Sequence, residues 1–364
     1  MSKIVWVLGA GFSRSLGAPL LDDLFSEQLD GLVRAAYGDS RYPRLYSQAA
    51  KVVRRLYREH HPRHWRDAEE FLDRLDLAAR APDSAWARSV LSLAGQLQLG
   101  PEPLSALSFA ARRLVAAQCA VFLSQADRNM ERWGPYRHWA SQVDAAQSVI
   151  TFNYDTVLEQ LSPKFEIVRP GDASPLAMPG VFKLHGSVNW IRSSANGKDY
   201  VEVRPDIPDA ALTLDDECLA IASPGPTKQE MTEQLFEGLW KHAMQELRTA
   251  SAIVFIGYRF PPSDSVARQR LIRAISENEM TYLSLHTVLG ADTNGPDSQR
   301  LRSLLLYAVR RGGRTPCTDK NVMSSGPRMF NMTQHPLWAQ DFLDITDVPH
   351  LYVPYSQHVG WNGL

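Results

Sequence analysis

KIVWVLGAGFS, residues 3–13, decides the fold. Ile4 to Leu8 form an unbroken run of apolar residues, two of them valines, that leads straight into Gly9-Ala10-Gly11. A short continuous apolar run is the pattern of a strand buried on both faces, as in a parallel sheet. The glycine pair after it permits a tight turn and a close backbone approach with no Cβ in the way. Strand, turn, then helix is the expected local structure. Gly9 and Gly11 match the first half of the dinucleotide fingerprint GxGxxG, but Arg14 occupies the third position. The turn is therefore either a phosphate loop that uses backbone amides and a helix N-terminus, or a plain strand-to-helix turn.

Further along, the same kind of strand recurs at Ser148–Phe152, Val181–Leu184 and Ala252–Ile256, and another apolar segment spans Tyr282–Leu289. Helical periodicity fills the spaces between. Ala49, Val52, Val53 and Leu56 mark one helix, Phe71, Leu72, Leu75 and Ala79 a second, and Leu107, Ala111, Leu114 and Val115 a third. Leu20, Leu21, Leu24, Leu32 and Val33 also recur at helical spacing. Alternating apolar strands and helices predict an α/β fold, a doubly wound, mostly parallel, Rossmann-like sheet. The gap between Gly11 and Thr151 far exceeds the roughly 30 residues of a βα unit. Residues 21–146 are therefore expected to form a helical insertion subdomain, with 1–20 and 147–310 as the core. Residues 192–216 read as a polar surface excursion. Residues 311–364, without clear period, read as a C-terminal extension.

Composition narrows the function. With 39 Lys plus Arg against 40 Asp plus Glu, the 364-residue chain carries a formal charge of −1, so no global basic field draws it to nucleic acid. Cys119, Cys218 and Cys317 are widely separated, which is neither a disulfide framework nor a zinc spacing. Such a set fits a reducing cytoplasm, and no metal is expected. No apolar run approaches the ~18 residues a membrane span needs, so no membrane partner is expected.

Each strand end also carries residues that could do chemistry. TFNYD at 151–155 places Thr151, Asn153 and Asp155 where doubly wound sheets bind ligands. Asn153 can donate and accept and Asp155 can accept from an amide, or both simply cap the helix that follows. FKLHGSVNW at 182–190 sets His185 before Gly186, as a candidate general base or as a structural histidine. IVFIGYRFPPSD at 253–264 ends its strand at Gly257 and Tyr258, suited to close approach to a ligand or to a simple exit loop. His60, His61 and His64 match no strong metal signature, and with Lys51–Arg66 they read as a solvated or partner-facing surface.

Taken in order, GAGFS, TFNYD, KLHGS and IGYRFPPSD resemble the sirtuin-like, NAD-consuming family, over roughly residues 1–295. They are most similar to its bacterial anti-phage defence branch. AEEFLDRL at 68–75, the turn from Pro224 to Lys228 and LWKHAMQEL at 239–247 also resemble that branch. The resemblance implies NAD as substrate, hydrolysed to nicotinamide and ADP-ribose by an NAD hydrolase that depletes NAD on infection. It implies catalytic roles for Asn153 and His185. Gly9, Ala10, Gly11, Phe12, Ser13, Thr151, Asp155, Gly257 and Tyr258 would bind the cofactor. It further implies a cytoplasmic homo-oligomer gated by a partner such as a ring-forming DNA-translocating ATPase or a short Argonaute-like protein. The family's deacetylases carry a four-cysteine zinc module after the catalytic histidine, whereas only Cys218 and Cys317 follow His185 here. Phe152 and Tyr154 also replace the Gln and Ile usual in those enzymes. The alternatives are an NAD-dependent protein deacylase, or a non-catalytic nucleotide- or nucleic-acid-binding subunit of a defence complex.

Overall fold

The structure is a computed structural model that describes residues 3–20, 23–25, 31, 43–124, 126, 131–161, 163–172, 178–195, 198–203, 215, 218–261, 264–317 and 328–351. Leu21, Leu32 and Val33 of the first helical pattern, most of the polar stretch within 192–216, and residues 352–364 lie outside the described residues.

Ile4–Leu8 forms β1, and its side chains alternate between two buried faces. Val5 and Val7 enter one core while Ile4, Trp6 and Leu8 enter the other. β1 pairs in parallel with β2 (Ser148–Thr151) on one side and β8 (Ala252–Ile256) on the other. Beyond β2 lie β4 (Gly180–Lys183) and the edge strand β3 (Glu166–Ile167). Beyond β8 lie β9 (Tyr282–Val288), β11 (Met329–His335) and β10 (Thr315–Pro316), which completes an eight-stranded sheet, parallel at every pairing. Chain order reverses at β1, the switch point where open α/β sheets bind ligands. The register aligns Ile256, Leu8, Thr151 and Lys183 across four strands, so the residues that follow each emerge on one rim.

One sheet face is covered by α9 (Glu237–Thr249), α10 (Ser265–Ser276) and α11 (Pro296–Arg311), and the other by α6 (Gly134–Gln142), α7 (Val157–Gln160) and α12 (Ala339–Ile345). Between β1 and β2 stand α2 (Gln48–His60), α3 (Ala68–Arg80), α4 (Ala85–Gln96) and α5 (Leu104–Val121), with a core of their own. The first three begin at Ser47, Asp67 and Ser84, each of which accepts a backbone N–H of the first turn. α5 is long and apolar enough to cross a bilayer, which differs from the expectation of no such run, but 78% of it is buried inside the protein. It reads as the central helix of this layer.

Two further stretches differ from expectation. Part of the predicted surface excursion folds as β5 (Gly186–Ala195) and β6 (Lys198–Val203), an antiparallel pair that β7 (Leu219–Ile221) extends to a second, three-stranded sheet. The first part of β5 is buried on both faces, Ser187 and Asn189 as well as Val188 and Trp190, and only its far end and β6 reach solvent. Residues 315–345, expected to be an extension, supply β10, β11 and α12 to the main sheet.

Candidate active site

The β1 exit is built by backbone crossing backbone. Gly9 N–H donates to Ile256 O at 3.0 Å and Gly11 N–H to Gly257 O at 3.3 Å. A Cβ on Gly9 would lie 2.6 Å from Gly257 O, and one on Gly11 would lie 2.8 Å from Gly257 Cα. The glycine pair thus lets the first turn sit directly on the β8 exit. The following helix α1 (Ala10–Ser13) is a single turn, continued by a 3-10 turn at Arg14–Leu16. Ala10 is exposed and Gly11 half-buried, so the turn presents its outer side to the rim. Phe12 points the other way, edge-on to Tyr136 and Trp139 in the core, and lies off the rim.

Asn153 and Asp155 meet this turn from β2. Asn153 Nδ2 donates to Gly9 O at 3.0 Å and Ser13 Oγ at 3.3 Å, while its own N–H donates to Thr151 Oγ1 at 3.1 Å. Asn153 Oδ1 accepts no hydrogen bond from the described residues. Asp155 is buried and accepts from Val157 N–H at 3.0 Å, so it does cap the short helix α7, and it also bonds Ser13. Burial raises its carboxyl above the ordinary range against the pull of Lys183, Val157 N–H and Ser13.

Lys183 at the end of β4 is 1% exposed, and its Nζ donates to Asp155 O at 2.5 Å, Ser187 Oγ at 2.6 Å and Glu159 Oε1 at 2.8 Å. This cation braces the TFNYD turn from beneath. The sequence reading gave Lys183 no role, although a lysine inside the run VFKLHG was itself a sign that a buried charge has partners waiting.

His185 follows Lys183 and belongs to a second cluster. Its ring is 5% exposed and packs among Phe152, Tyr154 and Trp240, at centroid distances of 4.9, 6.3 and 6.4 Å. Phe152 stacks on Tyr258 at 4.1 Å. His185 Nε2 lies 3.5 Å from Asp264 Oδ2 and has no hydrogen-bond partner. Asp264, itself 3% exposed, receives Lys228 Nζ on Oδ1 at 2.8 Å and Tyr258 OH on Oδ2 at 3.1 Å. Burial, reinforced by the Lys228 charge, holds the imidazole below its ordinary value despite Asp264, so His185 is neutral near pH 7. Burial raises the Asp264 carboxyl, but His185 and Lys228 beside it more than offset this and lower it overall.

Lys228 lies in α8 (Pro226–Met231) and Asp264 just before α10. Both sit in motifs noted from sequence, yet neither was read as a site residue, because only the tertiary fold brings them to His185. Among the described residues no hydrogen bond, ion pair or ring contact joins Asn153 to His185. The two clusters adjoin through the Gly9 turn, where a Cβ would meet Tyr258 Cα at 2.7 Å.

Other candidates sit elsewhere. His61 bonds Arg66 O at 2.9 Å and stacks on Tyr57, while His60 packs edge-on to His64. No group of three or more His, Cys, Asp or Glu residues that could hold a metal occurs among the described residues. A cavity of about 390 Å³ opens at the β3 edge, lined by Glu159, Glu166, Arg169 and Asn189 among others, and no sequence-predicted site residue lines it.

No family model matches this chain, and no curated protein matches it. The solved structures that bear a weak likeness to it include two on sirtuins. One concerns the mechanism and regulation of Sir2 enzymes, at 12% identity over 85% of this chain and 92% of that chain, with a TM-score of 0.27. The other concerns sirtuin substrate affinity, at 15% identity over 84% of this chain and 93% of that chain, with a TM-score of 0.26. At those scores neither carries an argument about this chain.

Proposed function

We propose that this chain is an NAD glycohydrolase that cleaves the nicotinamide–ribose bond to give nicotinamide and ADP-ribose, in the role of an anti-phage effector. The observation that carries this reading is a pair of polar atoms without hydrogen-bond partners at adjoining strand ends. Asn153 Oδ1 and His185 Nε2 follow the neighbouring parallel strands β2 and β4 beside the switch point, and neither receives a hydrogen bond from the described residues. Glycosidic cleavage builds positive charge on the sugar and needs an oriented nucleophile. Nicotinamide leaves as a neutral molecule, so strong acid catalysis is unnecessary. Asn153, held through its Nδ2 by Gly9 and Ser13, would turn its oxygen to a water or ribose hydroxyl. Neutral His185 would accept the proton.

The aromatic cover over His185 fits a gated enzyme. Phe152, Tyr154 and Tyr258 would have to shift for substrate to reach the His185 ring. Homo-oligomerisation and a separate partner protein, a ring-forming DNA-translocating ATPase or a short Argonaute-like protein, are the proposed triggers.

The test is incubation of purified protein with NAD, alone and with candidate triggers, followed by chromatography of the products. Equal nicotinamide and ADP-ribose are expected with no acylated peptide present, and N153A and H185A should each reduce release by about 10²-fold or more while staying folded. Strict dependence on an acyl-lysine peptide would establish the deacylase alternative. Full turnover in both variants would move the site elsewhere.

A further inference from the structure

We infer that the cavity at the β3 edge is a binding site for a small organic cation, an ammonium or guanidinium carried on a short apolar body. The inference does not rest on the glycohydrolase reading. The cavity measures about 390 Å³, which is the size of a small-ligand site. Its walls come from the edge strand β3, from Asn189 of β5 and Val203 of β6 in the second sheet, and from Glu159 of α7. Asn189 is 3% exposed, yet its Oδ1 accepts no hydrogen bond from the described residues. Glu159 commits Oε1 to Lys183 Nζ at 2.8 Å, while its buried Oε2 has no donor either. A buried acceptor without a donor lowers stability, and most of all when it belongs to a carboxylate. Two such atoms on the wall of one cavity point to a ligand that brings the donors.

The charge of the lining selects the kind of donor. Glu159, Glu166 and Asp172 are its carboxylates, and Arg169 is the cation among the described lining residues. Lys183 balances Glu159 through their ion pair, so the remaining two carboxylates against Arg169 leave one net negative charge. Asp172 Oδ2 already accepts the Arg169 N–H at 3.0 Å and is tied to its own loop. A monovalent cation brings the cavity to neutrality. Its N–H bond to a carboxylate oxygen is also about twice as strong as a neutral one. Among the described residues no three His, Cys, Asp or Glu side chains converge as metal ligands would, so the donors come as N–H groups. Phe165, Ile167 and Val203 offer apolar wall to the rest of the ligand, and Phe165 is fixed by its stack on Trp139 at 5.3 Å.

The site is separate from the rim but one contact away from it. Lys183 Nζ, bonded to Glu159 Oε1, also donates to Asp155 O at 2.5 Å and Ser187 Oγ at 2.6 Å. An occupant would take the free oxygen of the carboxylate that anchors this brace of the TFNYD turn.

The experiment is NMR chemical-shift titration of the full chain with three probes of similar size, butylguanidine, pentanamide and pentanoate, in wild type, N189L and E159Q. Butylguanidine should bind saturably at one site, pentanamide about tenfold more weakly or worse, and pentanoate not at all. N189L and E159Q should each weaken butylguanidine by about tenfold or more. N189L removes an oxygen that has no partner, so its thermal midpoint without ligand should equal or exceed that of wild type. If E159Q fails to fold because Lys183 loses its ion pair, N189L carries the test alone. Adding NAD should leave the butylguanidine affinity unchanged. Equal binding of the three probes, or undiminished binding in N189L, would overturn the site. A lowered midpoint in unliganded N189L would overturn it too, by making Asn189 a structural residue. Competition by NAD would merge the cavity with the nucleotide site and overturn its separateness.

Discussion

At Gly257 the backbone takes φ +64, and a Cβ there would stand 2.5 Å from Gly11 Cα and 2.6 Å from Phe12 N. Both obstacles are main chain, so no side-chain rotation relieves them. G257A is therefore expected to cost about 3 kcal/mol, from overpacking and from the left-handed conformation together. Urea denaturation measures it, and an unchanged midpoint would mean that β1 and β8 exit less tightly than described. The same pair of turns shows what the sequence made legible at this scale. Gly9 and Gly11 stood out as positions of close approach, and the approaching group is the backbone of Gly257. A phosphate reading left the partner open, because a glycine shows that something comes near and not what it is. Asn153 and His185 were legible as strand-end residues. Asp264 and Lys228 were not, since their roles come from meeting His185 in space.

Among the elements, β1, β2, β4, β8 and β9 were readable because central parallel strands bury both faces and become unbroken apolar runs. β11 escaped for the opposite reason. It lies near the sheet edge, and in MFNMTQH only Phe330 is buried while the remaining residues are half-exposed, so the run lacks apolar continuity. What holds that end of the sheet is a polar anchor. Arg314 is 3% exposed, and its guanidinium donates to the carbonyls of Asn278, Met280 and Met329 at 3.0, 2.5 and 2.9 Å and to Asn278 Oδ1 at 2.6 Å. Burial, with Arg328 nearby, pushes its pKa down to about 10, still charged at neutral pH. R314M removes the donors and leaves buried carbonyls without partners, which is expected to cost about 3 kcal/mol. Hydrogen exchange would localise the loss to β10 and β11, and uniform protection in the variant would contradict the anchor.

For the whole molecule, the sheet end closes through a stack of two histidines that ties β9, β11 and the C-terminal 3-10 turn (Val348–Leu351) together. His286 Nδ1 meets His335 Nε2 at 3.0 Å, and His286 Nε2 reaches Leu351 O at 3.0 Å and Ser284 Oγ at 2.8 Å. His335 also packs on Phe342 of α12 at 4.8 Å. Burial pushes the His335 pKa down to about 4, against an ordinary value near 6.5. The folded state therefore holds this histidine neutral where the unfolded chain would protonate it. Its contribution is complete above roughly pH 6.5 and is lost as pH falls toward 4. Full burial would make that loss about 3 kcal/mol, and the partial exposure of the ring brings it to about 2 kcal/mol. His185 is depressed in the same direction and adds to the same acid slope. Replacing His335 by Gln keeps a donor toward His286 but removes the titration. Urea midpoints at pH 7.5 and 4.5 should accordingly differ less in H335Q than in wild type. Equal differences in the two proteins would assign the acid sensitivity to carboxylates instead of this stack.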